Sequence, residues 1–254
     1  MLMPRVMPCL LKKGPSLVKT IKFNDPKYIG DPVNTIQIYN NLEVDELIFL
    51  DIEATNNRAP PPFELVSKIT TECFMPLTYG GGIRNTEDMK MLFSLGVEKI
   101  VICSYAHESP NIIQEASNLF GSQSVIVAID VKINSNGNYE VWTNSGSKNT
   151  GIDPVEYAVR MEKFGAGEIF LNSIDRDGTM EGYDIKLIKE VSSSLNIPLI
   201  ASGGAGDESD FVKAIKDGGA SAVAAGSLFV FQGKNRSVLI NYPSREELEE
   251  MLRE

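Results

Sequence analysis

Short apolar runs rich in β-branched residues alternate along the chain with longer stretches of helical period. The short runs fall at residues 5–10, 46–51, 76–79, 99–103, 124–130, 168–172, 198–201 and 222–226. They are mostly continuous in apolar character rather than alternating, the pattern of parallel strands covered on both faces. Stretches that read as helices separate them, at 32–41, 86–95, 110–120, 154–164, 185–195 and 208–216, and an acidic-rich surface helix closes the chain at 245–253. Eight strand-then-helix units in about 250 residues predict an α/β fold, a closed (β/α)8 TIM barrel. A doubly wound open sheet is the alternative, but no G-x-G-x-x-G follows the first run. Residues 11–30 are long for a strand-to-helix connection and are expected to form a mobile loop beside the active site. Residues 56–62 read as a loop, and 134–138 carry a turn signal.

An internal repeat supports the barrel. Residues 45–50 echo 167–171, Gly81-Gly82 echoes Gly203-Gly204, and 101–104 echo 223–226, all at an offset of 122 residues. The chain therefore reads as two related half-barrels, about 1–121 and 122–254. Half a barrel leaves open sheet edges, so residues 1–254 are expected to fold as one domain.

Composition narrows the chemistry. The 254 residues carry a formal net charge of -10, which argues against a nucleic-acid partner and its usual basic face. A small phosphorylated ligand is not excluded, because a local nest of backbone N–H groups suffices to bind one. Three cysteines without a C-x-x-C and a single histidine, His107, argue against a disulfide framework or a metal site. No cofactor is expected, and His107 is expected on the surface. The first residues lack a signal-peptide pattern and no run of about 18 apolar residues exists, so no membrane segment and a cytoplasmic location are expected.

Barrel chemistry gathers at the C-terminal ends of the strands. Gly81 and Gly82 follow the third run and Gly203 and Gly204 the seventh. Ser104, Gly226 and Ser227 follow the fourth and eighth. Glycines let backbone N–H groups approach an anion, and hydroxyls and helix starts add donors. Strands three–four and seven–eight face each other across a barrel mouth, so two such cradles predict an elongated ligand with a phosphate at each end. Tight turns alone are the alternative reading. Lys19 is a phosphate contact from the first loop. Asp130, at the end of the fifth run, is a candidate general acid or base, with capping of the following loop as its structural alternative. Asp177 is a second functional candidate; with Asp175 it flanks Arg176, which also fits a structural ion-pair network. Asp51 ends the second run. Cys103 reads as a small buried residue.

These motifs together resemble the HisF family, the cyclase subunit of imidazole glycerol phosphate synthase. The stretches that carry the resemblance are 8–10, 30–32, 45–51, 80–84, 121–123 with 127–130, 149–151, 165–168, 173–179 and 201–206. The resemblance implies a barrel that binds a long bisphosphate, cleaves it with ammonia and closes an imidazole ring. It implies a HisH-like glutaminase subunit on the N-terminal face, supplying ammonia through the barrel. The family's ring of four charges at the barrel bottom falls on Arg5, Glu46, Lys99 and Glu168, which the resemblance marks as an ammonia gate; a plain stability network is the alternative.

The chain departs from the family pattern at the mouth. Of two catalytic aspartates one matches Asp130, whereas the other position holds Leu11. Glu53 stands for a small hydroxyl residue and Cys103 for an asparagine, and residues 232–243 form a longer, more basic tail. In this the chain looks like the variant HisF-like proteins of surface-polysaccharide and lipopolysaccharide biosynthesis. They are associated with amidation or acetamidino modification of sugars, and their ammonia is handed to a sugar amidotransferase. Two other readings stay open. One is a genuine cyclase of histidine biosynthesis, a lyase using Asp130 alone or with Glu53 or Asp177. The other is a non-catalytic phosphosugar-binding activator of the glutaminase.

Overall fold

A computed structural model describes residues 3–233 and 235–253. Eight parallel strands, numbered around the barrel, are β1 (Arg5–Lys13), β2 (Leu47–Asp51), β3 (Leu77–Gly80), β4 (Lys99–Ile102), β5 (Val125–Ile133), β6 (Glu168–Ser173), β7 (Leu199–Ser202) and β8 (Ala222–Ala225). Each pairs with the next, β8 pairs with β1 with Arg5 opposite Ala222, and β5 pairs with β6 with Glu168 opposite Ile126. The sheet therefore closes on itself, as the alternation of runs predicts.

Helices α1 (Pro32–Asn41), α2 (Phe63–Glu72), α3 (Thr86–Ser94), α4 (Ser104–Glu108), α5 (Asn111–Phe120), α6 (Pro154–Lys163), α7 (Ile185–Ser192), α8 (Ser209–Lys216) and α9 (Arg245–Arg253) fill the connections and the C-terminal end. Their starts are written locally. Asp31 and Asp153 cap α1 and α6 just before a proline, Asn85 caps α3 and Asp184 caps α7, each accepting a first-turn N–H.

Strand side chains alternate between two apolar layers. Val6 and Leu10 of β1 point outward into the large core beneath the helices. Met7 and Cys9 point inward, where they meet Ile48, Val101, Ile126, Ala128, Phe170, Ile200, Ala222 and Ala224. The barrel interior is thus apolar along its middle, with several small side chains.

Residues 11–30 differ from the expected mobile loop. β1 continues to Lys13, turns, and returns as an antiparallel ribbon of strands Ser16–Ile21 and Asn24–Gly30. Burial of Leu17, Val18 and Ile29 seats the ribbon on the barrel. Polar contacts also tie it down: Lys12 Nζ lies 2.7 Å from Asp51 Oδ2, and the Gly14 N–H donates to Glu53 Oε2 at 2.8 Å. A second projection follows β5, which runs past Asp130 to Ile133 and pairs with a strand at Tyr139–Thr143. The tail after β8 folds as a small hairpin, Phe231–Gln232 with Ser237–Val238.

Candidate functional site

The C-terminal mouth holds a cavity lined by Leu11, Lys19, Ser104, Asp130, Asp177, Gly81, Gly82, Gly203, Gly204, Gly226 and Ser227. All ten mouth residues selected from the sequence therefore share one cavity, together with Leu11. Cys9, Val101, Ala128, Phe170 and Ala224 also line it, so it reaches down into the apolar barrel interior.

The two glycine pairs do structural work as well as opening space. Gly82 has φ +76°, and a Cβ there would stand 2.5 Å from the Ala59 carbonyl oxygen. Gly204 has φ +116°, with the Gly182 carbonyl oxygen 2.2 Å from the same imagined atom. The turns demand glycine on their own account, and they leave backbone free of side chains on opposite sides of the mouth. Ser104 begins α4 and its Oγ accepts the Asn144 N–H at 2.9 Å. Ser227 begins a short 3-10 turn after β8.

Lys19 is buried on the ribbon and reaches across to β1 and β8. Its Nζ donates to the Cys9 carbonyl, and a Cβ at Gly226 would fall on that same Nζ. Burial pushes the Lys19 pKa down, with Asp177 among the groups opposing the shift. The Lys19 amine thus sits beside Gly226, at the end of β8.

Asp130 points into the base of the mouth. Its Oδ1 accepts Asn172 Nδ2 at 3.3 Å and its Oδ2 the Cys103 Sγ at 3.5 Å. Burial pushes its pKa up to about 6, against the two hydrogen bonds and with help from the Asp177 charge. A carboxyl poised near neutrality suits proton transfer. The same burial, with Asp130 nearby, raises the Cys103 thiol well above its ordinary value, so this cysteine is a neutral donor rather than a thiolate.

Asp177 lines the mouth and also binds the ribbon. Its carboxylate accepts Thr20 Oγ1 at 2.7 Å and the Phe23 N–H at 3.2 Å, and its carbonyl accepts the Lys22 N–H. It fastens the ribbon over the mouth. Burial raises its pKa and those hydrogen bonds oppose the rise. Asp175 likewise latches, accepting the Ile133 N–H at 2.8 Å. Arg176 donates to the Glu181 carbonyl, so the predicted ion-pair network around it is absent among the described residues. Asp51 pairs with Lys12 and also accepts the Glu53 and Ala54 N–H groups. His107 is partly buried near Tyr157 rather than on the surface.

Asn172 escaped the sequence reading. It hides inside the apolar sixth run, yet it lies on the inward face with Glu168 and Phe170, four and two positions back. A polar residue at the upper end of that face was the available signal. The ribbon's Thr20 and Phe23 were also unforeseen.

At the opposite end of the barrel four charges close a ring. Arg5 Nη1 lies 2.7 Å from Glu46 Oε2, and its Nη2 2.7 Å from Glu168 Oε2. Lys99 Nζ completes the circuit at 2.8 Å from Glu168 and 3.4 Å from Glu46. Thr78 Oγ1 adds a donor to Glu46 at 2.9 Å. Burial works against the Arg5 charge, but the two carboxylates outweigh it and raise the pKa. Each carboxylate meets two cations, which offsets desolvation of groups only 4% and 8% exposed.

Among the described residues no three His, Cys, Asp or Glu side chains converge as a metal site requires, and no helix is long and apolar enough to cross a membrane. A family model described as histidine biosynthesis protein matches residues 5–235. The chain is 48% identical to "Putative imidazole glycerol phosphate synthase subunit hisF2" of Pseudomonas aeruginosa over 245 residues, 96% of this chain and 98% of that one. A Leptospira interrogans relative of the same description, subunit HisF, is 48% identical over 250 residues, 98% of each chain. "Imidazole glycerol phosphate synthase subunit HisF" of Alkaliphilus metalliredigens is 44% identical over 229 residues, 90% of this chain and 91% of that one.

Proposed function

The chain belongs to the histidine biosynthesis protein family, and from that premise we propose that it is a HisF-like barrel subunit that receives ammonia from a HisH-like glutaminase and passes it to a sugar amidotransferase. The glutaminase docks on the N-terminal face, around the ring of Arg5, Glu46, Lys99 and Glu168. Ammonia enters past that ring and crosses the apolar interior as the neutral molecule. The two glycine cradles, with Ser104, Ser227 and Lys19, hold a phosphorylated small molecule over the exit. The modified sugar belongs to a surface glycan, and the reaction runs in the cytoplasm.

One observation carries this reading: a closed charge ring under an apolar barrel, beneath a mouth where Leu11 stands at the place of a family carboxylate. A leucine cannot transfer a proton, so delivery is retained where the two-carboxylate chemistry is not. The test supplies the purified barrel and its glutaminase with the histidine-pathway bisphosphate and ammonium salt. No imidazole product is expected; robust turnover contradicts the reading.

The second reading is a genuine cyclase. Asp130, poised near pH 6 and facing the cavity beside Asp177, favours it. Loss of one general acid or base typically costs ~10²–10⁴-fold in rate, so this reading predicts slow turnover that Asp130→Asn abolishes. Stimulation of the glutaminase by the barrel with ligand, without any transfer of ammonia, would instead mark a non-catalytic activator.

A further inference from the structure

Asn172 is only 9% exposed and lines the mouth above Phe170. Its Nδ2 donates to Asp130, while its Oδ1 is buried without a hydrogen-bond partner. Turning the carboxamide over would set its oxygen against a carboxylate oxygen, so the donor side must face Asp130. A buried acceptor left unpaired is unfavourable, and an aliphatic residue of similar size would avoid the penalty. The neighbouring Gly203 keeps the space open: a Cβ there would stand 2.8 Å from Asn172 Oδ1.

We propose that Asn172 is a two-sided positioning residue, orienting the Asp130 carboxylate through Nδ2 and accepting an N–H through Oδ1 from ammonia or a primary amine held beside that carboxylate. The proposal rests on the reading above in one respect, that ammonia reaches the mouth. The chemistry of the pair selects the ligand. Asn172 Oδ1 and ionised Asp130 are both acceptors, so the group between them must offer at least two hydrogens, which a phosphate ester dianion does not. Beneath lie Cys9, Val101, Ala128, Phe170 and Ala224. The other titratable groups that act on Asp130 are Cys103 after β4 and Asp177 after β6, and Asp130 in turn helps raise the Cys9 thiol on β1.

The test uses the full chain and two readouts that need no turnover. Carboxyl-carbon NMR follows Asp130 through a pH titration in the parent, Asn172→Leu and the smaller Asn172→Ala. Ammonium chloride is then titrated at pH 7.5 against a potassium chloride control. The parent Asp130 is expected to titrate near about 6. Either variant should move it up by about one unit, the worth of one hydrogen bond to the charged form. Ammonium should perturb the parent Asp130 signal, and at least ~10-fold more weakly in the variants, the loss of one such contact. An unchanged titration in a folded variant, or equal ammonium binding, overturns the proposal. Imidazole turnover in the bisphosphate assay would overturn the delivery reading while leaving this titration untouched.

Discussion

Asp130→Asn should make the protein more stable at neutral pH, although it removes the candidate proton-transfer group. Burial lifts the folded-state pKa of Asp130 from 3.8 to about 6. The folded state therefore holds this proton more tightly than the unfolded chain does. The penalty for ionising it is fully present above pH 6 and fades as the pH falls toward 3.8, so this group alone makes folding more favourable on acidification. At 1.36 kcal/mol per unit, the penalty at pH 8 is about 3 kcal/mol. Asparagine nearly matches aspartate in shape and can still accept the Asn172 hydrogen bond, while losing the charge and its repulsion with Asp177. Urea denaturation of parent and variant at pH 8, 6 and 4.5 measures the difference. The variant should lead by up to about 3 kcal/mol at pH 8, and the lead should shrink to about 1 kcal/mol at pH 4.5, on its way to zero below the unfolded pKa of 3.8. A variant less stable than the parent at pH 8, or a difference independent of pH, would refute the burial argument for Asp130.

Glu46→Gln leaves Arg5 and Lys99 sharing the single carboxylate of Glu168. A loss of ~3 kcal/mol is expected in the same denaturation assay, as for other broken buried ion pairs, and a loss below ~1 kcal/mol would show that the ring adds little to folding. Two glycine substitutions should part company. Gly204→Ala puts a Cβ 2.2 Å from a backbone oxygen at φ +116°, and should destabilise by at least ~2 kcal/mol in thermal or urea melts. Gly226→Ala meets chiefly the end of the Lys19 side chain, with the Cys9 carbonyl oxygen at 3.4 Å, at negative φ. It should leave the melt within ~0.5 kcal/mol of the parent but weaken inorganic phosphate binding by calorimetry about tenfold, as expected for a displaced charged contact.

The barrel was legible because parallel strands buried on both faces write themselves as continuous apolar runs. Arg5, Glu46, Lys99 and Glu168 stood out through the family resemblance, which places a ring of charges at these positions, each at the start of a strand. The glycine pairs were equally plain. The ribbon at 11–30 was not legible, because its strands carry lysines at 12, 13, 19 and 27 and depend on distant partners. Asp51, Glu53 and Asp177 hold it, and none of those contacts is local in sequence. Asp177 is part of that dependence: a rim carboxylate that lines the mouth also holds the ribbon through Thr20 and Phe23. Asn172 was masked by the opposite effect, a polar residue inside an otherwise apolar strand. Its meaning appears only once β5 and β6 are side by side and Asp130 is its neighbour.

The delivery of ammonia through the barrel is tested most directly by isotope competition. The barrel, its glutaminase and a candidate sugar amidotransferase would be given glutamine labelled with ¹⁵N in its amide, in an excess of unlabelled ammonium. The account predicts a modified sugar carrying mostly ¹⁵N, with labelling lost when the Arg5–Glu46–Lys99–Glu168 ring is disrupted. A product labelled only in proportion to bulk ammonium, or labelled equally well without the barrel, would contradict it.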